Sequence, residues 1–190
     1  MTRDSLLLRV KDKKDEQAWE EFALIYEPFL RALLRKQSIP SSECDDISQE
    51  VMMKLYQNIE KYQKQNGAKF RTWLVTVLKN TMFSHLKKRK ATQNRDERWA
   101  EEKIRQLESN ELEEDYETEW QQKICDLAFE NIKKKFSGRA IDVFTQTLEE
   151  IPVETICKNL ELKRDSVYRL RGRVKKALTK EVNFLREQLE

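Results

Sequence analysis

The chain has 190 residues, of which 38% are hydrophobic and 37% charged, with a net charge of +3. That length accommodates one or two small domains, and that apolar share supports only modest cores. With three Gly and three Pro in the whole chain, the turn punctuation of a strand-rich fold is missing, and long stretches without breakers favour helices.

From Glu16 to Leu34, Trp19, Phe22, Ala23, Tyr26, Phe29, Leu30 and Leu33 recur at steps of three and four, one face of an amphipathic helix that Pro28 should kink. Pro40-Ser41-Ser42 breaks the chain. The next segment, CDDISQEVMMKLYQNIEKY, places Ile47, Val51 and Leu55 on one stripe, widened by Met52, Tyr56 and Ile59. Asp45 and Asp46 at its start fit either an N-cap with a favourable dipole interaction or an acidic recognition face. No His, Ser or metal ligand accompanies them to make a general acid–base pair, and no enzymatic activity is expected. Residues 63–68, with Asn66-Gly67, read as a loop. A helix follows from Phe70 to Lys90, with Phe70, Trp73, Leu74, Val77, Leu78 and Thr81 inward and the basic run Lys87, Lys88, Arg89, Lys90 at its end.

Between about Thr92 and Thr118 the apolar pattern thins to Leu107, Leu112 and Tyr116 among acids, which reads as a partly helical, loosely ordered linker. Spacing returns at Trp120, Ile124, Leu127, Ala128, Asn131, Ile132 and Phe136, and Ser137-Gly138 closes that helix. Ala140, Val143, Phe144, Thr147 and Leu148 form the next, and Ile151-Pro152 breaks again.

The last part carries the sharpest motif. Val153, Ile156, Cys157 and Leu160 make the buried face of a short helix, and Leu162 is a buried turn residue. Val167, Leu170, Val174, Ala177 and Leu178 make the buried stripe of a second helix, running from about Asp165 to Leu185. This is the spacing of a helix-turn-helix, whose second helix enters the DNA major groove. Its outer face carries Asp165, Tyr168, Arg169, Gly172, Arg173 and Lys176; arginines so placed can bond base edges or phosphates. Glu161 occupies the turn position where Gly is common.

Cys44, Cys125 and Cys157 are far apart, so buried or half-buried free thiols are expected. His85 is the only histidine and cannot complete a metal site with them. No cofactor is expected. No apolar run approaches the roughly 18 residues that span a bilayer, and the N-terminal apolar stretch is too short for a signal peptide. A cytoplasmic protein without membrane insertion is expected.

The block DDISQEVMMKLYQNI followed by FRTWLVTVLKNTMFSHLKKRK resembles region two of the extracytoplasmic-function (ECF) sigma factors of the sigma-70 family. The matching residues are Asp46, Gln49, Glu50, Val51, Met52, Met53, Lys54, Leu55 and Tyr56, then Phe70, Trp73, Leu74, Asn80 and Lys87 to Lys90. The helix-turn-helix resembles the family's region four. Met52, Tyr56 and Ser84 stand where the family usually has Phe, Trp and Asp, and the usual Arg run is mostly Lys, which suits phosphate neutralisation better than bidentate base reading.

The resemblance implies an all-α protein of two small helical domains joined by an acidic linker. Residues 1–92 would form a region 2-like bundle, 93–118 the linker and 119–190 a region 4-like helix-turn-helix domain. It implies docking on RNA polymerase core, at the largest subunit's clamp helices and the flap region, through Asp45, Asp46, Gln49, Glu50 and Lys54. It implies −10 promoter contacts by Gln65, Asn66, Lys69, Lys79, Asn80, Lys87, Lys88 and Arg89, and −35 contacts by Arg164, Ser166, Tyr168, Arg169, Arg173 and Lys176. It also leaves room for an anti-sigma factor as a further partner. The alternative is a stand-alone helix-turn-helix regulator whose helical N-terminal half dimerises and which binds palindromic half-sites.

Overall fold

A computed structural model describes residues 5–62, 70–92, 102, 111–136 and 138–189. Among them the fold is all-α. The helices are α1 (Leu6–Arg9), α2 (Glu16–Lys36), α3 (Ser41–Asn58), α4 (Phe70–Thr92), α5 (Glu111–Lys133), α6 (Arg139–Leu148), α7 (Val153–Leu160) and α8 (Arg164–Leu189), with a 3-10 turn at Ile59–Lys61. The chain divides into two compact units, and the boundary falls inside α5, between Gln121 and Gln122.

The first unit packs α2 and α4 against α3. Asp15 caps α2 by accepting the Ala18 N–H at 2.9 Å, and Arg9 holds that carboxylate and Glu21, each at 3.0 Å. The helix passes through Pro28 without a break. Pro28 is exposed, and so is Leu24, whose carbonyl loses its partner to the missing N–H; the unpaired group therefore lies on a solvent-facing side, where its cost is small.

The inward face of α2 is aromatic. Tyr26 stacks on Phe22 (4.2 Å between centroids) and on Trp120 (5.2 Å), and meets the edge of Phe70 at 5.6 Å. Phe29 meets Trp120 at 5.1 Å and Tyr116 at 4.9 Å. Tyr26, Phe22, Phe70 and Trp120 are all fully buried. Such rings each bury a large apolar area and gain further from edge-to-face geometry.

Tyr116, expected in the linker, and Trp120, expected in the following helix, lie on one helix. The linker expected over 93–118 lies outside the described residues up to 110, apart from residue 102, but from Glu111 onward the chain is helical. Two rings one turn apart anchor the first half of α5 in the aromatic core, and Lys36 adds ion pairs to Asp115 and Glu119, each at 3.2 Å. Arg71 pairs with Glu117 at 2.6 Å. The acids that made this segment look solvated are the ones that hold it.

In the second unit, Ile132, Ala140, Phe144 and Val174 form one buried cluster and Val143, Ile156 and Val167 another, with Leu170 packed against both. Gly138 (φ +57°) starts α6, and Glu150 (φ +59°) turns the chain before Pro152. Glu181 accepts from Asn131 at 2.9 Å and Lys135 at 2.6 Å, tying α8 to the end of α5.

Among the thiols, Cys44 is buried and Cys157 half-buried, as the spacing suggested, but Cys125 is exposed because it sits one residue off the Ile124–Ala128 stripe of α5. Burial pushes the Cys44 thiol above its ordinary range, which keeps it protonated.

Trp120→Ala should destabilise the first unit by about 3–5 kcal/mol, the usual cost of deleting a buried aromatic ring. Chemical denaturation of wild type and variant measures it, and a loss below about 1 kcal/mol would mean that α5 does not belong to that core.

Candidate functional site

α3 begins at Ser41 behind Pro40, a full turn before Asp45, so neither Asp45 nor Asp46 is its N-cap. The cap reading fails because the Pro40-Ser41-Ser42 break starts the helix rather than a preceding loop. Asp45 pairs with Arg31 of α2 at 3.1 Å, and Arg31 also holds Glu27 at 2.7 Å. Asp46 and Gln49 are exposed, Glu50 half-buried. Together with Lys54, Met53 and Gln57 of α3 and Ala23 and Glu27 of α2, they line an open groove of about 720 Å³. Met53, 60% exposed, gives this acidic groove an apolar floor. Of the candidate docking residues, four share the groove, while Asp45 is engaged beside it.

Lys54 faces two ways. Its ammonium pairs with Glu50 at 2.8 Å and donates to Thr81 Oγ1 of α4 at 3.0 Å. Thr81 is fully buried, and its hydroxyl donates to the Val77 carbonyl at 2.8 Å. The hydrogen bond from Lys54 holds the Glu50 carboxyl below the usual carboxylate range. Its stabilising contribution is therefore present above the unfolded-state pKa and is lost as pH falls through the depressed value.

A second cleft, of about 840 Å³, opens between the end of α3 and α4. Lys54, Asn58, Lys61, Tyr62, Trp73 and Asn80 are among its walls. Tyr62 and Trp73 stack at 5.5 Å, and Trp73 is half-exposed where Phe70 is fully buried. Flat rings beside amide and ammonium donors are the surface that unstacked bases bind. Of the candidate −10 residues, Asn80 lines this cleft, and Lys87 and Lys88 are exposed further along α4. Lys79 is half-buried on the same helix. Arg89 is turned onto Glu43 of α3. Gln65, Asn66 and Lys69 lie outside the described residues. Ser84, where the resemblance led one to look for Asp, is exposed and donates to the Asn80 carbonyl at 2.9 Å, so the missing carboxylate leaves no buried gap.

In the second unit α7 and α8 take up the expected helix-turn-helix positions. Glu161 sits in the left-handed region (φ 52°, ψ 44°), and the Leu162 N–H reaches back to the Cys157 carbonyl at 3.0 Å. This is the 6→1 bond of a Schellman turn, with Leu162 and Cys157 both packed on the buried cluster. The turn thus keeps the geometry that glycine usually supplies, with a glutamate in it. On α8, Arg164, Tyr168, Arg169, Arg173 and Lys176 are exposed and Ser166 half-buried at the first turn. Tyr168 lies beneath two guanidiniums, Arg164 at 5.8 Å and Arg171 at 5.3 Å from its ring centroid. Arg173 lies 5.8 Å from the Phe136 ring. Gly172 stands on the exposed face with nothing within 4 Å of an added Cβ.

Glu43 was not singled out by sequence, and His85 and Thr81 were not given these partners. Their partners lie 27 to 46 positions away along the chain, and no local pattern links them.

The described residues thus form an all-helical unit with an acidic groove and an aromatic cleft, and a second unit with a cationic helix-turn-helix. Residues 23–92 match the family described as Sigma-70 region 2. The chain is also 24% identical over 95 residues to "ECF RNA polymerase sigma factor RpoE" of Cereibacter sphaeroides, a match covering 50% of this chain and 52% of that one. Over residues 23–92 the chain is thus similar to the sigma-70 family, and it is similar to one member of the extracytoplasmic-function group. The match spans about half the length of that curated relative. Among the described residues no helix is long and apolar enough to cross a membrane.

Glu161→Gly should stabilise the second unit by about 1 kcal/mol, since a left-handed conformation costs an L-residue roughly 1–2 kcal/mol that glycine avoids. Thermal melting followed by circular dichroism measures it, and a lowered midpoint would contradict the assigned turn.

Proposed function

We propose that this chain directs transcription initiation as a sigma factor, without catalysing any reaction itself. The observation that carries the reading is the pairing, in one chain, of a region 2 family match over residues 23–92 with a helix-turn-helix whose second helix exposes Arg164, Arg169, Arg173 and Lys176. The relative's name, an RNA polymerase sigma factor, supports the same role.

In this reading the groove holding Asp46, Gln49 and Glu50 docks on the clamp helices of core polymerase. Its acidic rim suits a basic partner surface, and Met53 supplies the apolar contact. Asp45 contributes through Arg31, whose position it fixes, and Lys54 by holding Glu50 in place. The cleft with Trp73, Tyr62 and Asn80 receives unpaired −10 bases, assisted by Gln65, Asn66 and Lys69 of the preceding loop, and Lys87 and Lys88 neutralise nearby phosphates. α8 enters the −35 major groove. There Arg169 and Arg173, about one helical turn apart, reach base edges or backbone, while Arg164, Ser166, Tyr168 and Lys176 fix its register. In place of the division 1–92, 93–118 and 119–190, the polymerase-docking part takes in the first half of α5 up to Gln121, and the −35 part begins at Gln122. The flap and an anti-sigma factor are further partners of this scheme.

A pull-down with purified core polymerase tests the docking face. Wild type should be retained, and Asp46→Ala/Gln49→Ala, with helicity unchanged, should be lost from the beads. Equal retention of both would remove the groove as the docking surface, and no retention of wild type would remove the sigma reading. Gly172→Ala tests the recognition helix separately. It should raise thermal stability, because alanine is favoured over glycine by about 1 kcal/mol in a helix interior, yet weaken promoter binding if the backbone approaches DNA there. Unchanged promoter affinity would place Gly172 outside the interface.

A further inference from the structure

We propose that Glu43, His85 and Arg89 form a clamp that positions the basic end of α4, and that Arg89 serves there as a positioning residue instead of a phosphate contact. The inference rests on the sigma reading and assigns a different role to one of its candidate DNA residues.

The two carboxylate oxygens of Glu43 are divided between two donors. Oε2 is 2.9 Å from His85 Nε2, and Oε1 takes an Arg89 terminal nitrogen. A carboxylate can only accept, so His85 carries its proton on Nε2 and donates. All three side chains are largely sheltered, with exposures of 20% for Glu43, 25% for His85 and 19% for Arg89. A charge-assisted contact withdrawn from water is worth more than its surface counterpart, and it holds this guanidinium against α3 with one terminal nitrogen committed to Glu43. His85 and Arg89 stand one turn apart, so both grip α3 from the same side of α4.

The clamp closes one end of an antiparallel seam. At the other end Lys54 reaches Thr81. Moving along α3 from Glu43 to Lys54 moves back along α4 from Arg89 to Thr81, so the two polar anchors fix both the register and the splay of the pair. Lys87, in contrast, is exposed, its ammonium 4.4 Å from the Phe83 ring centroid. Lys87, like Lys88, is a cation the seam leaves facing outward, and the clamp sets where this end of α4 points.

The two roles for Arg89 predict opposite signs. If Arg89 is a phosphate contact that Glu43 merely competes for, Glu43→Gln frees it and tightens DNA binding. If Glu43 and Arg89 are a clamp, Glu43→Gln weakens binding, and adding Arg89→Gln costs nothing more. The experiment measures the affinity of holoenzyme, assembled from full-length chain and core polymerase, for promoter DNA selected by that holoenzyme from a random pool, across a salt series. Glu43→Gln, Arg89→Gln and the double variant should each bind about fivefold more weakly, within the coupling range of contacting residues, with the salt slope unchanged. Lys87→Gln should lower that slope by about 0.9, the mark of one lost phosphate contact. His85→Gln, which keeps a donor facing Glu43, should bind like wild type, and it provides a check that does not depend on breaking the clamp. Tighter binding by Glu43→Gln, or a lower slope for Arg89→Gln, overturns the proposal while leaving the sigma reading intact. No promoter selected by wild-type holoenzyme overturns both.

Discussion

Lys54 reaches from α3 to a hydroxyl that is itself buried against α4, and this contact organises the first unit. An ammonium is seldom drawn toward a core without compensation. Here Glu50 supplies the opposite charge and Thr81 an acceptor, while the rest of the 37% exposed side chain stays in reach of water. Apolar contacts between two helices tolerate sliding and rolling; a hydrogen-bonded cation in the seam does not. With the Glu43 contacts at the far end, α3 and α4 are tied at two points, with a groove beside α3 and a cleft between the two helices.

Around this seam the aromatic rings of α2 supply most of the burial. Tyr26 lies within reach of Phe22, Phe70 and Trp120, joining rings from α2, α4 and α5 in one cluster. The first half of α5 is thereby part of the unit that carries the groove and the cleft, although the family match stops at residue 92. The same chain thus uses one device for cohesion, stacked and edge-on rings, and another for register, partly buried polar anchors. The second unit packs aliphatic side chains around Phe144 and exposes cations along α8.

Much of this was legible in the sequence where a face repeats. The helix-turn-helix reads almost residue for residue: α7 spans Val153–Leu160, and α8 extends the expected helix by a single turn at its end. Its pattern is strong because Ile156, Val167 and Val174 have no polar neighbours on their stripe. The Glu161 turn was legible too, as a position that wants glycine and lacks it, and the backbone there is left-handed. Less was legible where polarity and burial part company. The acids of residues 111–119 suggested a solvated linker, yet Tyr116 is buried and Asp115 and Glu119 are engaged by Lys36. Lys54 looked like a surface residue of a docking helix and proves to be an anchor of that helix. Asp45 looked like a cap because no periodic residue precedes it, while the helix had already begun behind Pro40. Contacts between residues dozens of positions apart leave no trace in a single sequence, and the Glu43 clamp is of that kind.

In the proposed reading these surfaces serve a polymerase, not a self-sufficient DNA-binding protein. The most direct test is run-off transcription in vitro on templates from genes whose expression falls when the chain is deleted. Core polymerase with the chain should start transcripts at one discrete position per template, and neither component alone should do so. Specific binding of the same DNA by the chain alone, with no discrete start when core is added, would contradict the account and return the helix-turn-helix to a stand-alone regulator.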